Sequence, residues 1–182
     1  MKAATDLTAV SITSARLSLR SFTPEDAADA FAAATLTVTR YMGWDPSPSL
    51  QAFADDWRAW RPAMAAGTDV SLVVRLTSTG EFLGMAGLHQ IGDPEPEIGI
   101  WIKEAAHGAG YGREAIAATI DWASRRLELA AFTYPVAVEN RPSRRLAESV
   151  GGALVGTRQL RKPSGIILDE VVYRIPALAA GR

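Results

Sequence analysis

The run His107-Gly108-Ala109-Gly110-Tyr111-Gly112 is the part of this chain best suited to chemistry. The apolar stretch Glu97-Ile98-Gly99-Ile100-Trp101-Ile102 leads into it, and Arg113-Glu114-Ala115-Ile116-Ala117-Ala118-Thr119-Ile120 leads out. That pattern predicts a strand, a glycine-rich turn and the first turns of a helix. At such a turn bare backbone N–H groups converge on a helix N-terminus, where the unpaired amides and the helix dipole favour an anion. Glycine permits positive φ and removes the Cβ atoms that would hold a phosphate away. The implied chemistry is therefore binding of a phosphate-bearing ligand. Two common ligand loops are excluded by spacing. No Lys follows Gly112, as a P-loop requires, and Gly-x-Gly-x-Gly is not the Gly-x-Gly-x-x-Gly of a dinucleotide fold.

A second block follows the strand-like Phe132-Thr133-Tyr134-Pro135-Val136-Ala137-Val138. It reads Glu139-Asn140-Arg141-Pro142-Ser143-Arg144-Arg145-Leu146-Ala147-Glu148-Ser149-Val150-Gly151-Gly152. Pro142 suits a first helical turn and Gly151 a left-handed cap, so a short helix is expected between them. The glycine run resembles the acetyl-CoA pyrophosphate loop of GNAT-type N-acetyltransferases, Gln/Arg-x-x-Gly-x-Gly/Ala. Gly110 and Gly112 hold its glycine positions, and His107 stands where Gln or Arg is usual. The second block resembles the next motif of that superfamily, a strand ending in Asn followed by a helix ending at Gly. Further up the chain, Thr13-Ser14-Ala15-Arg16-Leu17-Ser18-Leu19-Arg20, Thr23-Pro24-Glu25-Asp26-Ala27 and Thr39-Arg40-Tyr41-Met42-Gly43-Trp44 resemble the opening of the ribosomal-protein N-terminal acetyltransferase (RimJ/RimL-like) branch. Asp169 to Ile175 is similar to that branch's last strand, so the resemblance runs from Thr13 to Ile175.

The resemblance implies an acetyl-CoA-dependent N-acetyltransferase moving an acetyl group directly to a primary amine, on a protein N-terminus or a small molecule. The alternative within the same fold is a non-catalytic acyl-CoA-binding or regulatory protein. A third reading gives the loop to an ordinary nucleotide. Gly108, Ala109, Gly110, Tyr111, Gly112 and Arg113 are expected to hold the pyrophosphate, with His107 either donating to a phosphate or capping the loop. A backbone N–H from Ile100, Trp101 or Ile102 would polarise the thioester carbonyl, in the manner of an oxyanion hole. Asn140 would pair with the pantetheine amides while ending its strand. Many superfamily members carry a Tyr on the following helix to protonate the leaving thiolate; Ala147 takes that place here. Ser143, three residues after the Asn as in the RimL-like branch, is the candidate donor instead. Glu97 is the candidate general base, with a strand-end ion pair as its other reading, and His89 is second choice. An α-amino group is substantially neutral near pH 8, so a weak base acting through water suffices. Trp44, in the segment from Tyr41 to Pro48, is expected to wall the acceptor entrance, along with the loop from Gly92 to Pro96.

These residues need a scaffold that the patterning also supplies. Leu17 to Arg20 alternates as a strand, and Thr23 with Pro24 opens a helix expected to end near Ala34. Ser49 caps a helix whose apolar stripe is Leu50, Phe53, Trp57, Trp60 and Met64, read as core. Val70 to Leu76 and Phe82 to His89 are strands around the turn Ser78-Thr79-Gly80-Glu81, and Ala153 to Arg161 with Val171 to Ile175 closes the chain as a hairpin. Pro135 inside a strand marks either a bulge or an edge without a partner. The expected fold class is α/β (α+β), a single GNAT-like domain with a mixed, mostly antiparallel sheet, splayed central strands and flanking helices. Its boundaries are read as an extension at 1–12, a domain at 13–176 and a tail at 177–182.

Composition narrows the partners. The 182 residues are 48% hydrophobic and 21% charged with a net charge of −1, which gives no electrostatic case for nucleic acid or an anionic membrane. The lack of cysteine removes thiolate chemistry and disulfides, and two isolated histidines do not make a metal site. No apolar run approaches the roughly 20 residues of a membrane span. The expectations are a cytoplasmic protein with no metal, and a homodimer at the level of family analogy.

Overall fold

The computed structural model describes residues 5–177. Eight strands form one sheet: β1 (Ser11–Thr13), β2 (Leu17–Ser21), β3 (Val70–Leu76), β4 (Phe82–His89), β5 (Glu97–Ile102), β6 (Ala131–Ala137), β7 (Ala153–Arg161) and β8 (Ile167–Pro176). Their spatial order is β1-β2-β3-β4-β5-β6-β8-β7, and every neighbouring pair is antiparallel except β5 with β6. The expected mixed, mostly antiparallel α/β domain is what forms. β4 is central and covered on both faces, which is why Phe82 to Leu88 is a continuous apolar run rather than an alternating one.

Six helices flank the sheet among the described residues: α1 (Ala27–Ala33), α2 (Leu36–Thr39), α3 (Leu50–Trp57), α4 (Trp60–Ala66), α5 (Tyr111–Arg126) and α6 (Arg141–Ser149). α5 buries Ala115, Ile116, Thr119, Ile120 and Ala123, the stripe of one helix face, against Leu72, Ala86, Leu88 and Ile98 of the sheet. On the opposite face α1 and α3 close a second core, in which Ala30 and Phe53 meet Phe22, Val73, Phe82 and Met85. That layer reaches β5 only through Trp101 and includes no residue of β6, β7 or β8. The face beyond Trp101, the concave side of the sheet, is left uncovered by that layer.

Several expectations are corrected. The single helix expected from Leu50 to Met64 is two, broken at Arg58 and Ala59. Pro62 has no N–H, and its ring would clash with the carbonyl of Arg58 in a continuous helix. Leu50 is exposed rather than core, whereas Phe53 and Met64 are buried. The helix after Thr23 starts with a tight 3-10 turn, Pro24–Asp26, and ends at Ala33. Residues 5–12, read as an extension, pack onto the domain: Leu7 is buried, its N–H donates to the Met64 carbonyl at 2.9 Å, and β1 pairs with β2. Apart from Ala177, the expected C-terminal tail lies outside the described residues, as do residues 1–4. No described helix is long and apolar enough to cross a membrane.

Candidate active site

The site begins where β5 and β6 part. These parallel strands share one register pair, Glu97 with Thr133, and the Thr133 N–H donates to the Pro96 carbonyl at 3.1 Å. Beyond it they diverge, as expected of splayed central strands. Pro135, two residues on, turns its nitrogen to the same edge as Thr133, so it faces the gap. Its other edge pairs with β8 at Val172, and the proline therefore forfeits no ladder bond. On the edge of β5 away from the gap, the Lys103 N–H donates to the Leu83 carbonyl of β4 at 2.7 Å. By the alternation of an antiparallel ladder, Glu97, Gly99 and Trp101 then bond to β4, and the N–H groups of Ile100 and Ile102 face the gap. Trp101 is thereby separated from its two neighbours: its backbone belongs to β4, and its ring lies on the concave face.

The gap runs toward the N-terminus of α5. Gly108 and Gly110 have φ of +79° and +80°, the left-handed conformation that glycine adopts without strain. Gly110 precedes the helix and offers no side-chain cap, so the N–H groups of Tyr111, Gly112 and Arg113 point out of the helix end uncapped. A Cβ on Gly112 would lie 3.1 Å from Leu146 Cδ1 and 3.7 Å from Ile102 Cγ1, filling the neck between α5, α6 and β5. Arg16 braces this loop. Its Nη1 donates to the Ala109 carbonyl at 3.0 Å, its guanidinium sits 4.6 Å over the Tyr111 ring, and its Nε donates to Glu114 at 2.7 Å. Partial burial alone would raise the Glu114 carboxyl; hydrogen bonds from Ser14 and Arg16 outweigh it and hold the group below the usual range. The Arg113 side chain makes no ion pair with a described residue. His107 does not aim Nε2 at an anion: that nitrogen donates to the Ile102 carbonyl at 2.6 Å, tying the loop to the end of β5. Nδ1 makes no hydrogen bond with a described residue.

α6 closes the other wall. The Asn140 side-chain oxygen accepts the Ser143 N–H at 3.3 Å, an N-cap that leaves the amide nitrogen available to a ligand. The Ser143 hydroxyl lies 2.7 Å from that of Tyr134, a β6 residue that sequence reasoning passed over. Tyr134 is 2% exposed, and burial pushes its phenol up to about 12 despite the hydrogen bond to Ser143. It therefore stays protonated at neutral pH. Ala147 is fully buried and carries no hydroxyl.

On the concave face Glu97 is not alone. Its carboxylate accepts from Arg158 Nη1 at 3.1 Å, while Arg158 Nε donates to the buried Glu170 at 2.6 Å. Glu97 is thus ion-paired while its side chain stays partly exposed. His89 stands opposite Glu97 in the ladder and its Nδ1 lies 3.1 Å from Asp69. Trp44 packs edge-on against Trp101, ring centres 6.2 Å apart. Buried Lys162 holds it there by donating to the Thr39 carbonyl and pairing with Asp45, each at 3.0 Å. Hydrogen bonding from Lys162 and then Ser164 keeps the Asp45 carboxyl below its ordinary range. The signal for Arg158 was present as a basic residue on β7 set opposite Glu170 of β8, whereas Lys162, one residue past β7, had none. Among the described residues, no cluster of His, Asp and Glu could hold a metal.

The acetyltransferase (GNAT) domain model matches residues 16–153, and the chain belongs to that family. Solved structures agree on the fold. Spermidine N-acetyltransferase from Vibrio cholerae, in complex with CoA and spermine, superposes with a TM-score of 0.77 at 20% identity, covering 90% of this chain and 97% of that one. Mycobacterium smegmatis RimJ, in complex with CoA-disulfide, gives 0.79 at 21% identity, over 91% and 84%. Ribosomal-protein-S5-alanine acetyltransferase from Vibrio fischeri gives 0.77 at 16% identity, over 95% and 100%. No curated protein sequence matches the chain.

Proposed function

We propose that this protein is an acetyl-CoA-dependent N-acetyltransferase that passes the acetyl group directly to a primary amine, with acceptors drawn from protein N-termini or small molecules. The observation that carries the reading is continuity: the gap between β5 and β6 leads straight to an uncapped helix N-terminus built from glycines. Two of the structural neighbours are described as CoA complexes, which supports the same cofactor. Likeness to the two ribosomal-protein acetyltransferases supports a RimJ/RimL-like placement, without deciding the acceptor.

Acetyl-CoA supplies an activated thioester; the chain supplies the rest. The N–H groups of Tyr111, Gly112 and Arg113, reached across Gly108, Ala109 and Gly110, hold the pyrophosphate, with the Arg113 side chain adding charge. The Asn140 amide nitrogen donates to the pantetheine arm. The N–H of Ile100 or Ile102 stabilises the oxyanion. The Ser143 hydroxyl donates to the sulfur as the thiolate leaves. Glu97, through water, receives the proton of the amine.

A thermal-shift titration with acetyl-CoA, CoA, NAD and ATP side by side tests this. A ligand that binds only the folded state raises the melting temperature with the logarithm of its excess over Kd. A saturable shift with the two CoA species alone is the expected result. A shift with ATP or NAD instead gives the loop to another nucleotide, and tight CoA binding without turnover of any amine leaves the non-catalytic reading.

A further inference from the structure

Ser143 differs from the other serines and threonines of α5 and α6 in what its hydroxyl does. Thr119 donates to the Ala115 carbonyl at 2.8 Å, Ser124 to that of Ile120 at 2.7 Å and Ser149 to that of Leu146 at 2.7 Å. Bonding back to its own helix is the ordinary course for such a hydroxyl. Ser143 makes no such bond with a described residue. Its hydroxyl meets only that of Tyr134, 2.7 Å away on β6, while the Asn140 side chain takes the Ser143 N–H.

Burial sets the direction of the Tyr134 bond. Tyr134 packs in the core with Phe132 and Val136, and its hydroxyl has no second hydrogen-bond partner among the described residues. Were Ser143 the donor, the phenol proton would lie in the core without an acceptor, which native structures avoid. A phenol is also a stronger acid than an alcohol, and so the better donor of the two. Tyr134 therefore donates, and Ser143, partly exposed on the wall of the gap, keeps its own proton for what enters there.

We propose that Tyr134 is the positioning residue of the leaving group: its phenol holds the Ser143 oxygen so that the serine proton points at the departing sulfur. This rests on the acetyltransferase reading and deepens it, placing in the strand beneath α6 a hydroxyl that Ala147 does not supply. In the step, the amine nitrogen bonds to the acetyl carbon and the C–S bond breaks. The electron pair stays on sulfur as a thiolate that accepts the Ser143 hydrogen bond, and the amine proton passes through water to Glu97. Tyr134 does not give up its own proton. A thiol ionises near about 8.5, so a phenol held at about 12 is too weak an acid to protonate the thiolate.

CoA and desulfo-CoA, which differ by one sulfur, test this. The readout is the Kd for desulfo-CoA over the Kd for CoA, taken near pH 8, where a thiol is partly ionised. Ser143→Ala should lower that preference by about 3- to 10-fold, the loss of one hydrogen bond. Tyr134→Phe should lower it nearly as far, because the released hydroxyl is free to turn back to its own helix. Tyr134→Phe/Ser143→Ala, which leaves no lone hydroxyl in the core, should lower it no further; melting temperature and desulfo-CoA Kd report folding. A purely structural role for Tyr134 would weaken both ligands alike. An unchanged preference in Tyr134→Phe overturns the assignment, and so does a kcat loss beyond about 100-fold, which would make the phenol itself the acid. Either result leaves an acetyltransferase. Wild-type protein that binds CoA and acetylates no amine refutes the acetyltransferase reading and this role with it.

Discussion

Gly112→Ala separates the ligand cradle from the fold that holds it. Gly112 has no positive φ, so alanine meets no backbone strain there. Inside a helix the change favours folding by about 0.5–1 kcal/mol, and less in a first turn. Against this, the new Cβ would stand 3.1 Å from Leu146 Cδ1, close enough that the leucine must shift off its preferred rotamer. A displacement of that kind costs about 0.5–1.5 kcal/mol. The two effects nearly cancel, and the melting temperature should stay within about 4 °C of wild type for a domain of this size. Ligand binding has no such compensation. The methyl fills the neck between Leu146 and Ile102, just where the uncapped N–H groups meet the gap. Denying an anion one charge-assisted hydrogen bond costs about 1.5–3 kcal/mol, which is a Kd for CoA weaker by roughly 10 to 100-fold. Isothermal titration calorimetry with CoA reads this directly. Gly92→Ala is the control, since nothing lies within 4 Å of a Cβ there. An unchanged Kd in a Gly112→Ala protein of normal melting temperature would refute the placement of the cofactor at the α5 N-terminus.

Three further outcomes are expected. Tyr134→Phe should lower kcat about tenfold with the acetyl-CoA Kd within twofold, because the buried phenol orients the Ser143 hydroxyl; Ser143→Ala should do the same, and the double variant no more than either. An additive double variant would mean that the two hydroxyls act separately. Glu97→Gln should reduce the acetylation rate with acetyl-CoA binding intact, and an unchanged rate at every pH removes Glu97 from the reaction. Asp26 is fully buried, paired with Arg20 at 2.6 Å and with Arg75 at 3.0 Å. Burial alone would raise its carboxyl, but hydrogen bonds from Arg20, Arg75 and the Thr23 N–H hold it low. A carboxyl depressed by folding stabilises the fold above its unfolded pKa of about 3.9 and ceases to as pH falls through the folded value. Asp26→Asn should therefore lose about 2–4 kcal/mol in urea at pH 7 and show a shallower loss below pH 4 than wild type. Equal acid limbs for both proteins would contradict the pairing.

What could be read in the sequence was local. β3 and β4 coincide with their predicted bounds because a glycine turn separates two apolar runs. The start of α5 and the span of α6 follow from Gly110, Pro142 and Gly151, whose conformational demands depend on near neighbours alone. Pro135 was legible as an anomaly, and only the register of β5 with β6 shows that its nitrogen faces open space. The break between α3 and α4 lies four residues before Pro62, and the apolar stripe running through it masks that signal. The concave face was not legible, because its chemistry is long-range. Glu97 meets Arg158 across 61 residues and Lys162 meets Thr39 across 123, distances over which periodicity carries no information. His107 shows the same limit at short range: its ring turns to Ile102 rather than to the cradle because β5 ends beside it.

The central claim is that amine and thioester react directly in the gap between β5 and β6. The protein is mixed with acetyl-CoA and alaninamide, and three quantities are followed together: free CoA thiol, N-acetylated product and the intact mass of the protein. The account predicts thiol released one for one with N-acetylalaninamide, only when amine is present, and a protein mass that never changes. An acetylated protein that hands its acetyl group to the amine, or no product with any amine while acetyl-CoA is bound, would contradict it.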